Sequence, residues 1–435
     1  MFGWLDRVSL VSGPLPVIVV VLGILGAGWL CADRRRWFLR WALPLSIVGA
    51  AAMTAALYVI VEHVWRPFPD PVEKPVYLWI GVGLWAVLLL VPRIVAGRRW
   101  MIPVSVLAAA TVVLVAAVQI NQVFYAYPTV GTALGLPDPD RIDFAEVPPP
   151  TGPVVTGRPL EDAWAPQVPG GMPDSGRYAS APIPGETSGF AARDAVVYLP
   201  PSYFVSPRPL LPVLVLLAGQ PGSPEDWLNG GKLAATMDAF ARAHHGLAPV
   251  VVVPDGTGSQ LANPLCMNSK LGNVATYLAV DVPAWTRSHL QVDPDPRSWA
   301  VAGLSYGGTC ALQLATNYPQ VYPTFLDLSG QEEPTLGDRQ RTVDEAFGGD
   351  EAAFVAANPM DLMKTRRYPD TAGIIVMGDR DDAYRGGAKK VFEAAKNAGM
   401  DVQYVEVPGA HSFSVWSTGL REELDWLAKR MGLIS

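Results

Sequence analysis

The stretch Arg297-Ser-Trp-Ala-Val-Ala-Gly303-Leu304-Ser305-Tyr306-Gly307-Gly308-Thr-Cys-Ala-Leu-Gln-Leu-Ala decides how the rest of this 435-residue chain is read. Gly-x-Ser-x-Gly is common by chance when it stands alone. Here it follows a short apolar run, Trp299 to Ala302, and opens a helical pattern, Gly307 to Asn317, the strand-turn-helix context in which a nucleophilic serine is presented. The reason is steric. A serine on so tight a turn takes a strained backbone, and glycines two before and two after it let neighbouring segments approach without Cβ clashes. The turn lifts the hydroxyl clear of the sheet and sets Ser305 at a helix start, where free N–H groups favour developing negative charge.

From about Ser180 onward, short β-rich runs alternate with helical patterns. Strands are expected over Ala195 to Leu199, Val213 to Leu217, Val250 to Val253, Trp299 to Ala302, Thr324 to Leu328, Gly373 to Met377 and Val402 to Val407. Helices are expected over Gly231 to Ala243, Ala275 to Leu290, Gly307 to Asn317, Gly386 to Ala398 and Gly419 to Arg430. Near-continuous apolar strands separated by helices describe a parallel sheet covered on both faces, an α/β domain. Roughly 255 residues, 181–435, suffice for one such domain with its own core. The charged segment 331–372 is either part of a cap over the pocket or a surface excursion.

A serine hydroxyl attacks only if a base takes its proton, and after a serine presented in this way the partners follow in the order acid, then histidine. Of the five histidines, His63, His244, His245 and His289 all precede Ser305. His411 alone follows it, in Val407-Pro-Gly-Ala-His411-Ser-Phe-Ser-Val-Trp416, just after the last expected strand. The acid is expected after Gly373 to Met377, where the chain continues Gly378-Asp379-Arg380-Asp381-Asp382. The spacing Gly-x-x-Asp selects Asp381, with Asp379 and Asp382 as alternatives. Acyl transfer also needs donors aimed at the tetrahedral oxyanion. The backbone N–H of Tyr306 is one candidate, and that of Gln220, in Ala218-Gly219-Gln220-Pro221-Gly222-Ser223, is the other; Pro221 has no N–H to give.

Taken together, Val196-Val-Tyr-Leu-Pro-Pro-Ser-Tyr203, Leu217-Ala-Gly-Gln-Pro-Gly222, Gly303-Leu-Ser-Tyr-Gly-Gly308 and His411-Ser-Phe-Ser-Val-Trp416 resemble the putative-esterase family of α/β-hydrolases. That family includes esterase D and the secreted mycolyltransferases of mycobacteria and corynebacteria. The resemblance covers roughly 190–430 and implies an α/β-hydrolase fold and a Ser-His-acid triad carried by Ser305, His411 and Asp381, with Gln220 and Tyr306 as oxyanion donors. The mycolyltransferases have Glu as the acid and Trp two residues after the base, where this chain has an Asp cluster and Phe413. The segment ahead of the domain resembles that of membrane-anchored actinobacterial esterases.

Composition divides the chain in two. Residues 1–127 hold 10 Lys/Arg against 5 Asp/Glu, and the remainder 23 against 35, for a net charge of −7. Val8 to Ala32, Trp41 to Val61, Pro75 to Pro92 and Trp100 to Pro137 contain no Asp, Glu, Lys or Arg, and each is long enough to cross the ~30 Å hydrocarbon core as a helix. The third is the weakest of the four. Arg34, Arg35, Arg36 and Arg40 lie between the first two runs and Arg93, Arg98 and Arg99 between the last two, which places both loops inside by the positive-inside bias. The N-terminus and everything after the fourth run are then outside. Trp41, Trp79 and Trp100 suit the interfaces. The expected organisation is a four-helix transmembrane domain (1–127), a Pro/Gly-rich linker (128–180) and the α/β-hydrolase domain (181–435).

With the domain outside, Cys266 and Cys310 are expected to form a disulfide, two buried free thiols being the alternative; Cys31 lies in the first span. His244 and His245 have no suitably spaced carboxylate or thiolate, so no metal is expected, and no phosphate-binding signature calls for a nucleotide. The acidic balance argues against nucleic acid. The expected partners are the lipid bilayer and an acyl ester, with envelope glycolipids as candidates. The reading is a membrane-anchored extracytoplasmic serine esterase without cofactor. The alternatives are an acyltransferase to a sugar hydroxyl and a non-catalytic envelope scaffold.

Overall fold

Residues 4–5, 8–136 and 140–435 are described by the computed structural model. They form two compact units that divide at residue 136.

The first unit holds four apolar helices: α1 (Pro14–Cys31), α2 (Leu43–Val59), α3 (Lys74–Ala96) and α4 (Ile102–Phe124). Each has proline in its first turn, where the missing N–H costs nothing. With flanking π-helical and 3₁₀ turns, the continuous helical lengths are Pro14–Cys31, Phe38–Trp65, Lys74–Ala96 and Arg99–Phe124, all long and apolar enough to cross a membrane. The third, expected to stop at Pro92, runs four residues further with Pro92 inside it. The fourth is shorter than its apolar run because Tyr125 takes a left-handed φ of 58°. Leu30, Ala86, Leu89, Ala108 and Val112 form the interior, while the apolar side chains of Ile24, Leu25, Val95 and Leu107 are exposed on the outside of the unit. Arg93, counted above with a basic loop, is buried instead. It pairs with Asp33 at 3.3 Å and donates to the Trp29 carbonyl at 3.1 Å.

The second unit is built on one eight-stranded sheet: β1 (Arg177–Ala181), β2 (Ala195–Leu199), β3 (Val213–Leu217), β4 (Val250–Val253), β5 (Trp299–Leu304), β6 (Thr324–Leu328), β7 (Ala372–Gly378) and β8 (Asp401–Val407). Their spatial order is β8-β7-β6-β5-β3-β4-β2-β1. β3 to β8 run parallel, and β2 runs against both its neighbours. Every residue of β2 to β7 is buried, as expected for strands covered on both faces; β8, at the edge, alternates. The helices of this unit include α5 (Leu233–Ala243), α6 (Val282–His289, continuing the helical turns Val274–Thr276 and Tyr277–Asp281), α7 (Tyr306–Asn317), α8 (Arg339–Phe347), α9 (Glu351–Val355), α10 (Pro359–Thr365), α11 (Arg385–Asn397) and α12 (Phe413–Arg430).

Register aligns the strand ends that matter. Leu304 pairs with Leu328, Gly303 with Leu217, Val376 with Leu328 and Gly378 with Val407. The loops after β3, β5, β6, β7 and β8 therefore leave one edge of the sheet side by side, where open α/β sheets carry their sites.

Residues 140–180 differ from the expected linker. They include β1, antiparallel to β2, and Trp164, fully buried with its indole N–H on the His245 carbonyl at 2.9 Å. Leu160 and Glu161 donate to the carbonyls of Gly432 and Leu433. Stretches of extended chain in this segment bond to the domain, with short helical turns such as Leu160–Trp164 between them. The segment 331–372 carries α8 to α10, whose Val343, Ala346 and Phe354 share a small core with Leu265 and Met267, and Asn317 of α7 reaches the Ala357 carbonyl at 2.9 Å. It is an ordered lobe on α7, the helix that follows the tight turn, or elbow, at Ser305.

Candidate active site

β5 hands the chain directly to α7 through Ser305, whose φ of 52° and ψ of −119° are unfavourable for a residue with a side chain. Its N–H donates to the Leu328 carbonyl at 2.8 Å, which fixes the turn to β6. A Cβ on Gly303 would strike the Gly307 main chain, and one on Gly307 would strike the Leu217 carbonyl. Both glycines are required for the strand-to-helix reversal.

His411 sits on the loop between β8 and α12. Its Nε2 is 2.9 Å from Ser305 Oγ and its Nδ1 is 2.8 Å from Asp381 Oδ2. Asp381, after β7, is only 3% exposed. A carboxylate accepts and cannot donate, so Nδ1 carries the proton and Nε2 is left to accept the serine O–H. The Tyr384 ring stacks on the imidazole at 4.1 Å and 11°, and Trp416 meets it edge-on at 4.9 Å. Of the three candidate carboxylates, the structure brings Asp381 alone to the imidazole. Asp379 accepts from the Gly409 N–H at 2.8 Å, two residues before His411, and Asp382 is 89% exposed beside Arg385.

Tyr306 stands at the N-terminus of α7. Its phenol accepts from the Cys266 N–H at 3.0 Å and donates to the Gly256 carbonyl at 3.1 Å. Burial pushes the phenol's pKa up, so it keeps the proton it donates. Cys266 and Cys310 are disulfide-bonded with Cα atoms 5.4 Å apart, joining the loop after β4 to the second turn of α7. The loop after β3 passes against the elbow: a Cβ on Gly219 would lie 2.7 Å from Leu304 Cδ1 and 3.6 Å from Ser305 Cβ. The Gln220 side chain donates to the Leu261 carbonyl at 2.8 Å. His244 pairs with Glu161 at 3.0 Å, and His289 stacks on Trp285; neither belongs to this site.

Asp327 belongs to none of the motifs above, although a carboxylate inside the apolar run Thr324-Phe-Leu-Asp-Leu328 is a visible signal. It is fully buried beneath the elbow, filling the space a Cβ on Gly308 or Gly330 would take, and accepts from the Gly330 N–H at 2.7 Å. Burial pushes its pKa up to about 7, the Gly330 N–H acting in the opposite sense. The folded protein thus holds this proton to about pH 7, while the unfolded chain releases it near 3.8. The stability this one group contributes is therefore fully present below about pH 4 and is lost as pH rises to 7, by ~4 kcal/mol at most. Asp327→Asn is expected to flatten this dependence. Its thermal midpoint should exceed that of the parent at pH 8 and not at pH 4, and parallel curves for the two proteins would refute the assignment.

The family described as "Putative esterase" matches residues 191–427. The chain is 38% identical over 404 residues to an uncharacterized protein of Corynebacterium glutamicum, covering 91% of each. It is 30% identical over 155 residues to a diacylglycerol acyltransferase/mycolyltransferase of Mycobacterium avium, covering 32% of this chain and 43% of that one. A solved ferulic acid esterase superposes with a TM-score of 0.52 at 17% identity, covering 59% of this chain and 99% of that one. At that identity the structural likeness speaks for the fold, which is that of an α/β-hydrolase.

Proposed function

This chain belongs to the putative-esterase family of α/β-hydrolases, and from that premise we propose that it is a membrane-anchored serine esterase acting on acyl esters of the cell envelope. The observation that carries the reading is the relay Asp381–His411–Ser305, with contacts of 2.8 and 2.9 Å. Ser305 Oγ attacks the acyl carbonyl carbon and its proton passes to His411 Nε2, while Asp381 holds the imidazole in the competent tautomer. The N–H groups of Tyr306 and Gln220 receive the oxyanion. Collapse expels the alcohol, which takes the proton from Nε2, and leaves an acyl-serine. Water, deprotonated by His411, then releases the acid and restores the enzyme.

Two features support an outside location for the domain. Arg34, Arg35, Arg36, Arg40, Arg98 and Arg99 collect on two of the loops, which the charge bias keeps inside. The Cys266–Cys310 disulfide belongs in an oxidising compartment. A second reading, transfer of the acyl group to a sugar hydroxyl, draws on the 30% identity with a mycolyltransferase.

A fluorophosphonate probe tests the proposal on the full chain in detergent. Ser305 should carry the adduct, located by peptide mass spectrometry, and Ser305→Ala should take up none. Folded protein that remains unlabelled, or is labelled elsewhere, would overturn the reading in favour of a scaffold. Lipid profiling of cells lacking the protein, complemented with wild type or Ser305→Ala, separates the two enzymes: an ester that accumulates indicates hydrolysis, and an ester that is missing indicates transfer.

A further inference from the structure

Arg193 lies just ahead of β2, 112 positions before Ser305 and outside every motif noted above. Its guanidinium joins three segments. Nη2 donates to the Gly222 carbonyl, to Asp255 Oδ1 and to Thr257 Oγ1, each at 2.8 Å, while Nε reaches Asp255 Oδ2 at 2.9 Å and Nη1 reaches Gln260 Oε1 at 3.4 Å. Asp255, just after β4, has a side chain only 1% exposed. It also accepts from the main-chain N–H groups of Arg193 at 2.8 Å and of Thr257 and Gly258 at 3.1 Å. Burial, the largest single influence, would raise the carboxyl's pKa; the hydrogen bonds and charge of Arg193 together with the Thr257 N–H outweigh it and hold the group below the usual range, so the pair is ionic.

The segment gripped by this pair is the loop after β3, which has no ladder or helix of its own between Ala218 and Ser223. Two of its residues are glycines, so its shape comes from outside contacts: the Gly222 N–H on the Gln260 carbonyl at 3.2 Å, the Gln220 side chain on Leu261, and Arg193 on the Gly222 carbonyl. Donors that stabilise an oxyanion are effective because they are fixed before the charge develops. We propose that Arg193, anchored by Asp255, is a positioning residue that sets the direction of the Gln220 N–H by holding the Gly222 carbonyl two residues away. The inference rests on the reading of Ser305 as nucleophile and Gln220 as oxyanion donor. Arg193 acts through the loop and touches no reacting atom.

The test uses the full chain with p-nitrophenyl butyrate and its thionoester, in which sulfur replaces the carbonyl oxygen and accepts hydrogen bonds weakly. Arg193→Ala should lower kcat on the oxoester about 10- to 100-fold with KM within about threefold, the cost of a misdirected group near the chemistry. On the thionoester the loss should be clearly smaller, because less of the transition state depends on that donor. Arg193→Lys, which keeps the charge without the fork, should fall between. Equal losses on the two esters, or a wild-type rate in Arg193→Ala, would overturn the proposal. If Arg193→Ala does not fold, Arg193→Lys and Asp255→Asn carry the same comparison. A folded wild-type chain inert to both esters and to fluorophosphonate would instead sink the reading of Ser305 on which the clamp depends.

Discussion

Ser305→Ala and His411→Ala are each expected to lower kcat for a p-nitrophenyl ester by about a million-fold, and the double variant is expected to fall no further. The two side chains act as one unit: Ser305 Oγ has its proton acceptor in His411 Nε2 at 2.9 Å, and neither is useful alone. What survives is the contribution of binding and of main-chain donors at the start of α7, which neither substitution touches. KM should change little, since the lost interactions are made while the proton is moving. Single and double variants measured side by side decide the matter. Losses that multiply would mean two independent contributions and would break the proposed relay.

Asp381→Asn should cost about 10,000-fold in kcat with the fold intact. An amide in place of the 3%-exposed carboxylate turns its NH₂ toward Nδ1 and selects the tautomer in which Nε2 already carries a proton. Ser305 then has no acceptor, and in the minor tautomer that can still take its proton the resulting imidazolium has no counter-charge. Asp379→Asn should lose less than about tenfold, since its oxygen holds the loop of His411 through the Gly409 N–H and an amide oxygen can accept the same bond. Asp382→Asn, at a solvated turn, should be near wild type. Steady-state kinetics on the three variants would overturn the assignment if Asp379 or Asp382 proved the most damaging position.

Some of this arrangement is legible without coordinates because its signals are local. The apolar run Trp299 to Ala302, the glycines around Ser305 and the helical pattern after them lie within about 20 residues. Chain order left His411 as the single histidine after the serine. The acid was harder: Asp379, Asp381 and Asp382 share one turn, and the one that faces His411 depends on how the chain leaves β7 against β8. β1 gave almost no signal, since Arg177-Tyr-Ala-Ser-Ala181 is short, small and at an edge. The prolines ahead of it suggested a linker because extended chain looks the same in sequence whether it hangs free or lies on a domain.

Contacts made at a distance left no trace in local pattern. Arg193 and Asp255 are 62 positions apart, and Asp33 and Arg93 are 60 apart. In both cases a charge that reads as solvated loop is buried against a partner brought in by folding. Most of the strands and helices, the apolar runs and the serine turn are readable from neighbouring residues, because hydrophobic period, glycine placement and chain order are local properties. Which carboxylate meets His411, what Asp327 sits beneath and what holds the Gln220 loop are settled by folding. Those depend on strand register and packing, which bring together side chains that the chain keeps tens of residues apart.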